Sequence, residues 1–404
     1  MDERPDEKKE TAGSGSFLAK LYRPGPLVFL FAVAIGGLLW FGYHLATEET
    51  PPPEVVTRPE PVPAAPKIYE EETSTIEDKV KEVDLAIIEA MRRLGLNLAD
   101  LELLDVELRH KDGQGYHYQV LRIPETRDAA AFLTALKERL AEREPEALLS
   151  DNGTAEAAVS VGALPTHRLL LRTVPFVLPR PEKKGPQLAV VIDDIGENTT
   201  VLEGLVRLDF PVTLAVWPNA SHTDESVALA KSSGHDLIVH FPMEPQGYPK
   251  YNPGDDALFI TMTDAQVRAR VAQNLARVPG AIGVNNHMGS RFTENGPGMR
   301  AALDEFRQRG LFFLDSLTTP HSVGRKVARE LGVPFYERDI FLDNVKDVNA
   351  IILQLKKAEN VARKQGRAIA IGHPYPATLA GLREWAASRN TAVRLVPLSQ
   401  MKPE

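Results

Sequence analysis

The stretch QLAVVIDDIG at residues 187–196 runs from a block of apolar residues into two adjacent aspartates, Asp193 and Asp194, and ends at a glycine. Such a short apolar run is typical of a strand that is buried on both faces of a parallel sheet. Six similar runs follow it: VTLAVW (212–217), DLIVHF (236–241), AIGVNN (281–286), LFFLDS (311–316), AIAIGH (368–373) and AVRLVP (392–397). Helix-patterned stretches alternate with these runs, so residues 187–404 are predicted to form an α/β domain of parallel βαβ units. About seven strands fit either an open doubly wound sheet or a (β/α) barrel, and periodicity does not choose between them.

Nearly every one of these predicted strands ends in a residue that can bind a metal or move a proton. Besides the two aspartates, these are His240, the triplet Asn285-Asn286-His287, Asp315 and His373. The carboxyl ends of the strands in α/β folds converge at one mouth, where active sites are built. Helix capping is the competing explanation, because Asp and Asn are favoured N-caps, but histidine is not. The pattern therefore predicts an active site.

The adjacent carboxylates indicate that this site holds a cation. Ile195-Gly196 ends the strand, so both aspartates can turn into the mouth, and two like charges at that distance raise one pKa unless a cation lies between them. The imidazoles of His240 and His287 with one carboxylate form the ligand set of an open catalytic zinc-type site, which leaves the other carboxylate free to act as a base. We expect one divalent ion, with zinc as the favoured candidate, although ligands without thiolate also suit other divalent metals.

The motifs VIDDIG, HFPMEP, NNHMGS, FLDS and IGHP resemble those of the divergent branch of the polysaccharide deacetylases, relatives of the carbohydrate esterases with a distorted (β/α) barrel. The resemblance covers residues 187–397. It implies that Asp193 is the catalytic base, that Asp194 binds the metal, that His240 is the first metal histidine and that His373 is the catalytic acid.

The sequence departs from the commoner branch of that family at the second metal histidine. That branch has two histidines four residues apart, whereas here Glu244 follows His240 at that spacing. We expect His287 to supply the second imidazole, with Glu244 as a further candidate ligand.

The usual Arg-x-Pro motif is also absent. Asn285 and Arg291 occupy that region, and no tryptophan follows Asp315, so we assign these three residues to substrate binding. Asp315 or Asp343 is a candidate for orienting a histidine, but we interpret Asp343 as a solvated loop carboxylate.

The resemblance implies metal-dependent removal of N-acetyl groups from a cell-envelope or exported polysaccharide. In that reaction Asp193 takes the proton of the attacking water and His373 protonates the departing amine. Two alternatives stay open: a glycan-binding or scaffold protein with little or no turnover, and a metal-dependent hydrolase with another substrate. The absence of a G-x-S-x-G motif argues against a Ser-His-Asp hydrolase.

The composition restricts the other functional classes. The chain has 404 residues, with 47 Lys+Arg, 55 Asp+Glu, no cysteine and a formal charge of −8. The acidic balance argues against a nucleic-acid-binding protein, which presents a basic patch. Without cysteine there are no disulfides, thiolate zinc sites, Fe–S clusters or cysteine nucleophiles.

The amino-terminal part contains the uncharged stretch LVFLFAVAIGGLLWFGYHL at residues 27–45, which would span about 28 Å as a helix. We predict a single-pass membrane anchor rather than a cleaved signal peptide, because no A-x-A site follows. Basic residues precede the stretch and none follows it until Arg58. This asymmetry predicts that residues 1–26 stay in the cytoplasm and that the remainder is exported. The family resemblance implies a bacterium, in which the anchor lies in the inner membrane and the remainder is periplasmic or extracellular.

Two proline-rich segments, residues 46–72 and 175–186, are predicted linkers. Between them, residues 73–174 combine two helix-patterned stretches with two strand pairs, which predicts a small α+β domain. The sequence indicates neither its role nor its protein partner.

Overall fold

The computed structural model of the chain describes residues 24–47, 76–124, 129–151, 156–171 and 185–404. The chain divides into two compact units, Met1–Lys67 and Ile68–Glu404. Most of the predicted cytoplasmic tail and of the two predicted linkers lies outside the described residues, so those assignments stay predictions.

In the first unit the structure describes one helix, α1 (Pro24–Thr47), which covers the apolar stretch. Large apolar side chains such as Phe29 and Leu38 are exposed on it. Over the described residues, no helix is both long enough and apolar enough to cross a bilayer. The transmembrane anchor at residues 27–45 is thus not shown by the structure and stays a prediction.

The second unit begins with a five-stranded sheet and two helices. The helices are α2 (Ile76–Arg93) and α3 (Ala129–Arg143), and the strands are β1 (Glu102–Lys111), β2 (Gln114–Arg122), β3 (Ala147–Asp151), β4 (Glu156–Val161) and β5 (Leu164–Leu170). The strand order is β1-β2-β5-β4-β3, and all neighbours are antiparallel except the pair β2-β5. The helices share one apolar core with the sheet, in which Ile87, Met91 and Phe132 are completely buried.

The rest of the unit is a parallel sheet surrounded by helices. Its strands are β6 (Gln187–Ile195), β7 (Thr213–Val216), β8 (Asp236–Met243), β9 (Gly283–Met288), β10 (Phe312–Asp315), β11 (Phe335–Glu337), β12 (Ile340–Phe341), β13 (Arg367–Gly372) and β14 (Arg394–Leu395). Eight lie in the order β11-β10-β9-β8-β7-β6-β13-β12, and β14 pairs with β6. This parallel half-barrel fits a deacetylase-like (β/α) barrel. The predicted count of about seven is too low, because β11 and β12 are too short to give a sequence pattern.

The helices of the barrel mostly follow its strands along the chain. They are α4 (Thr199–Leu205), α5 (Thr223–Ser233), α6 (Asp264–Arg277), α7 (Gly296–Gln308), α8 (Gly324–Leu331), α9 (Val348–Gln365) and α10 (Pro376–Ser388). Side-chain caps fix several starts: Thr263 and Gln266 form a capping box at α6, and the Asp347 carboxylate accepts hydrogen bonds from the first amides of α9.

Strand β6 shows why the sheet forms from near-continuous apolar runs. Its alternate residues Leu188, Val190 and Ile192 belong to the large apolar core that the helices share, whereas Ala189 and Val191 belong to a second core made mainly of strand residues. Since both faces are buried, polar residues are excluded until the strand reaches its carboxyl end.

Candidate functional site

The structure brings the predicted strand-end residues together at one mouth of the sheet. Asp193 and Asp194 end β6, His240 lies on β8, His287 lies on β9, and His373 follows β13 directly. All five side chains are buried, with no residue more than 4% exposed. Buried ionisable groups are costly unless they pair or bind a cation, so this concentration indicates a functional site.

A local irregularity of β6 turns both aspartates into the mouth. The register between β6 and β7 shifts between Ile192 and Ile195, and Asp194 adopts the left-handed conformation with φ 52°. On a regular strand the two side chains would point to opposite faces. Left-handed aspartate is tolerated but strained, and such strain concentrates at functional sites.

Asp194, His240 and His287 form a group of three potential metal ligands. Asp194 Oδ1 lies 3.0 Å from His240 Nε2 and 3.1 Å from His287 Nδ1, and the two nitrogens are 3.1 Å apart. Ligand atoms around a tetrahedral zinc ion lie roughly 3.3 Å from one another. Among the described residues, none makes a well-oriented hydrogen bond to either buried oxygen of Asp194. This unsatisfied carboxylate facing two imidazoles fits a divalent ion.

The electrostatics of the site also suit a cation. Burial alone raises the pKa of Asp194, but the imidazoles of His287 and His240 outweigh burial and hold that pKa well below its usual range. Burial lowers the pKa of His287, which favours the neutral imidazole that a metal ligand needs. Burial would lower the pKa of His240, but the two aspartates raise it. Burial, with the charge of Asp194, raises the pKa of Asp193.

Asn285 connects the metal-ligand group to the second aspartate. Its Oδ1 lies 2.9 Å from His240 Nδ1, and its Nδ2 donates to Asp193 Oδ1 at 2.7 Å. When His240 Nδ1 donates its proton to the amide oxygen, Nε2 is left free to ligate. Asn285 is completely buried and positions both neighbours, and its predicted role in substrate binding stays a prediction.

Asp343 holds His373, which corrects our interpretation of Asp343 as a solvated loop carboxylate. Asp343 is only 2% exposed. Its Oδ1 lies 3.0 Å from His373 Nδ1, and its Oδ2 accepts hydrogen bonds from the His373 amide and from Thr378 Oγ1, both at 2.6 Å. The pair orients the imidazole so that Nε2 points towards Asp194 Oδ2, 3.7 Å away.

Glu244 lies outside the ligand group, contrary to its assignment as a candidate ligand. Its carboxylate is buried and accepts from the Ile260 amide at 2.7 Å and from Arg291 Nη1 at 3.0 Å. Both oxygens are therefore engaged in holding the loop after β8. Arg291, predicted to bind substrate, is the partner in this ion pair, with its side chain 41% exposed.

Asp315 is likewise held by internal hydrogen bonds, and its predicted role in substrate binding stays a prediction. It is buried and accepts hydrogen bonds from the Leu317 amide at 2.9 Å and from Ser322 Oγ at 2.5 Å. Burial raises the pKa of its carboxyl group. These bonds hold the turn after β10, where Leu317 has a positive φ.

Sequence reasoning missed Trp217, which follows β7 and stacks on the metal-ligand group. Its ring centroid lies 4.5 Å from that of His287, with 34° between the planes. The indole thereby fixes the imidazole from the side. The signal was present, because Trp217 is the last residue of the run VTLAVW and so stands at a strand end.

Comparisons with known proteins agree with this geometry. A family model described as divergent polysaccharide deacetylase matches residues 190–402. An uncharacterized protein of Haemophilus influenzae is 37% identical over 217 residues, which are 53% of this chain and 76% of that protein. The uncharacterized protein YibQ of Escherichia coli is 32% identical over 218 residues, 54% of this chain and 68% of that protein. The crystal structure of the uncharacterized protein ATU2773 from Agrobacterium tumefaciens is 26% identical, with a TM-score of 0.51, and covers 55% of this chain and 91% of that one.

Proposed function

The chain belongs to the divergent polysaccharide deacetylase family, and on this basis we propose that it is a metal-dependent hydrolase that removes N-acetyl groups from a cell-envelope or exported polysaccharide. The observation that carries the proposal is the group of Asp194, His240 and His287 beside Asp193 and His373. A protein that only bound glycans would need neither the unsatisfied buried carboxylate nor the aspartate and histidine beside it.

Asp194, His240 and His287 would hold the metal ion. When bound, a divalent ion at such a site polarises an acyl carbonyl and lowers the pKa of an attacking water. The ligands come from β6, β8 and β9, three strands of one rigid sheet, and the contacts of Asn285 and Trp217 fix the two imidazoles. Such outer contacts keep a ligand set in place before the ion arrives.

Asp193 is the proposed general base. Asn285 donates to its Oδ1, and its Oδ2 lies 3.7 Å from His240 Nδ1, so the carboxylate stays beside the ligand group without belonging to it. Burial raises the pKa of Asp193, which makes the carboxylate a stronger base than an exposed one. In the proposed reaction Asp193 takes a proton from the attacking water.

His373 is the proposed general acid. Its Nδ1 faces Asp343, so its Nε2 is the nitrogen left to donate a proton, and that nitrogen points towards Asp194. The Asp343 carboxylate also stabilises the imidazolium form that an acid requires. In the proposed reaction His373 protonates the departing amine nitrogen of the sugar.

We also propose that the catalytic residues work outside the cytoplasm. The support is the location of the proposed substrates and the charge pattern around residues 27–45, where basic residues precede the apolar stretch and none follows until Arg58. Fusing alkaline phosphatase after Glu404 tests this proposal, since the enzyme is active only where disulfides form. An inactive phosphatase on a stable fusion would refute an external location.

The proposed activity is tested on the full-length protein by elemental analysis and by acetate release from N-acetylated chitooligosaccharides and from peptidoglycan. We expect about one divalent ion per chain and measurable acetate release in the parent protein. The Asp194→Ala variant is expected to lose both, whereas Asp304→Ala, on the surface helix α7, is expected to keep both.

Each alternative function has its own outcome in this experiment. Bound metal without acetate release from either glycan would favour a hydrolase with another substrate. Absence of metal from the parent protein, even after zinc is added back, would overturn the proposal and favour the glycan-binding or scaffold alternative.

A further inference from the structure

The segment that carries Asp343 lies between the barrel and the small sheet. We define the Asp343 segment as residues 341–347, from the end of β12 to the N-cap of α9. Strand β12 contains only two residues, so it anchors the segment over a short length. Further contacts must therefore hold the segment if the Asp343 carboxylate is to stay directed at the proposed acid. Barrel residues hold its first part, through the pairing of β12 with β13 and the hydrogen bond from the Leu342 amide to the Ile371 carbonyl, and further contacts come from outside the barrel.

Helix α2 of the small α+β part contacts the Asp343 segment at three points. Arg92 Nη2 lies 2.9 and 2.7 Å from the two carboxylate oxygens of Asp347. Asn344 Nδ2 donates to Asp78 Oδ1 at 3.3 Å. Lys81 Nζ lies over the Phe341 ring, 5.4 Å from its centroid. The three contacts thus reach both ends and the middle of the segment.

The apolar core of the small part extends into the same region. Val345, two residues after Asp343, packs against the core of α2 and α3, and Ala350 and Leu353 of α9 are members of that core. Without the small part, this face of α9 and of the segment would be exposed to water. The segment therefore packs as part of the small sheet's core although it belongs to the barrel in sequence.

Helix α9 is fixed to the small part by a buried ion pair as well. Lys357 Nζ lies 2.5 Å from Asp84 Oδ2 on α2, and both residues are almost completely buried. His167 and Gln119 satisfy the other oxygen of Asp84 at 3.0 Å each. A buried pair that is satisfied in this way tolerates little displacement, because separation leaves a buried charge unpaired.

Polar side chains of α9 also cover the backbone of the edge strand β1. The donors stand four residues apart on α9. Lys356 donates to the carbonyl of Leu101, just before β1, and Asn360 donates to those of Leu103 and Leu104. Lys364 donates to the carbonyl of Val106. This occupies the outer edge of the small sheet along α9. The small part and α9 therefore form one packed block.

We propose that helix α2 is a positioning element for the proposed acid: it holds the Asp343 segment so that Asp343 orients His373. The inference rests on the proposed function for the role of His373, but the positioning itself is a structural property that does not depend on turnover. Lys81 and Arg92 are positioning residues in this proposal, because they touch the segment and neither substrate nor the reacting atoms.

The test uses the full-length protein and the double variant Lys81→Ala/Arg92→Ala. Its matched control is Arg93→Ala, which truncates the next side chain of α2; Arg93 pairs with Glu138 of α3 instead of the Asp343 segment. The first measurement is hydrogen–deuterium exchange at the His373 amide, which donates a hydrogen bond to Asp343, compared with exchange at the amides of β7 and β8. The second is kcat and KM for acetate release from N-acetylated chitooligosaccharides, with metal content measured in parallel.

We expect the double variant to exchange the His373 amide faster while β7 and β8 keep their protection, with metal content unchanged. In kinetics, kcat should fall about fivefold with KM unchanged, the effect of losing weak surface contacts to a positioned group. The variant Lys81→Ala/Arg92→Lys, which keeps the positive charge at position 92, should restore much of the loss. The control Arg93→Ala should match the parent protein in both measurements.

Unchanged exchange at His373 in the double variant would overturn the proposal, as would exchange that rises equally in β7 and β8, because that is a general loss of stability. Absence of acetate release from the parent protein would count against the proposed function alone, since the exchange result still decides whether α2 holds the segment.

Discussion

Replacing Asp343 with Asn tests the contact on which the proposed acid depends. Three donors converge on this carboxylate: the His373 amide and Thr378 Oγ1 on one oxygen, and His373 Nδ1 on the other. An asparagine offers one acceptor oxygen and an NH₂ group, so it cannot accept from both sides. If the amide oxygen keeps the two short bonds, the NH₂ group faces His373 Nδ1.

The expected loss follows from this geometry. Facing an NH₂ group, Nδ1 must give up its proton and accept, so the imidazolium form that acts as an acid is disfavoured. Loss of a residue that hydrogen-bonds a functional histidine typically lowers activity about 10–100-fold, and more when the histidine takes the wrong tautomer. We expect kcat to fall about 100-fold with little change in KM. Replacing a hydrogen bond to a charged group by a neutral one should also lower the free energy of unfolding by about 1 kcal/mol.

The assay is steady-state acetate release at saturating N-acetylated chitooligosaccharide, with metal content and urea unfolding measured on the same preparations. Thr378→Val is the matched control, because it removes one donor to Asp343 but leaves both contacts with His373. It should lose no more than about fivefold in kcat. A folded, metal-containing Asp343→Asn variant with kcat within about twofold of the parent would refute the reasoning.

Three further predictions concern the ligand set, the pH dependence of stability and the buried ion pair. Elemental analysis should find metal retained in Glu244→Gln but lost in His240→Ala, because only His240 belongs to the ligand group; retention in both would contradict that assignment. Burial raises the pKa of Glu359 from 4.5 to about 7, so the folded chain holds a proton that the unfolded chain loses between those pH values. Relative to Glu359→Gln, the free energy of unfolding of the parent protein should therefore be highest below about pH 4.5 and fall by up to about 3 kcal/mol as the pH rises to 7 and above. Urea unfolding at several pH values measures this difference, and equal pH profiles of the two proteins would contradict it. Lys357→Ala should lower the free energy of unfolding by about 3–5 kcal/mol, because it leaves Asp84 buried without its cation, and Asp84→Leu/Lys357→Met should recover much of that; no recovery would show that the pair itself is stabilising.

The position of most of the site could be predicted from the sequence, because its residues end long apolar strands. Asp193, Asp194, His240 and His287 each continue a run that has no other reason to become polar. In a parallel sheet those ends must meet, so the strand pattern alone places them at one mouth. The family resemblance then adds roles to residues whose proximity the pattern already predicts.

Asp343 could not be placed in the same way. The strand before it, β12, contains only two residues, so no apolar run marks Asp343 as a strand-end residue. Its burial depends on His373 and Thr378, which are distant in sequence, and the docking of α2 on its segment depends on tertiary packing. No local pattern encodes these contacts.

Side-chain direction explains the other differences. Glu244 stands at the spacing of a metal histidine, but its carboxylate turns to the Ile260 amide and to Arg291. Asn285 and Asp315 lie on adjacent strands at the mouth, and the side chains of both form internal hydrogen bonds. Sequence spacing gives the level of a residue along the sheet, whereas hydrogen-bond partners decide which way it faces.

The strand order also sets the sequence in which the site is assembled during biosynthesis. The three proposed metal ligands are complete once β9 has been made, but β6 obtains its second neighbour, β13, only near the end of the chain, and His373 arrives with it. At roughly 5–20 residues per second, that interval lasts several seconds or more. A nascent chain in that interval carries the full proposed ligand set without the proposed acid, so under the proposed function metal capture precedes the capacity for turnover.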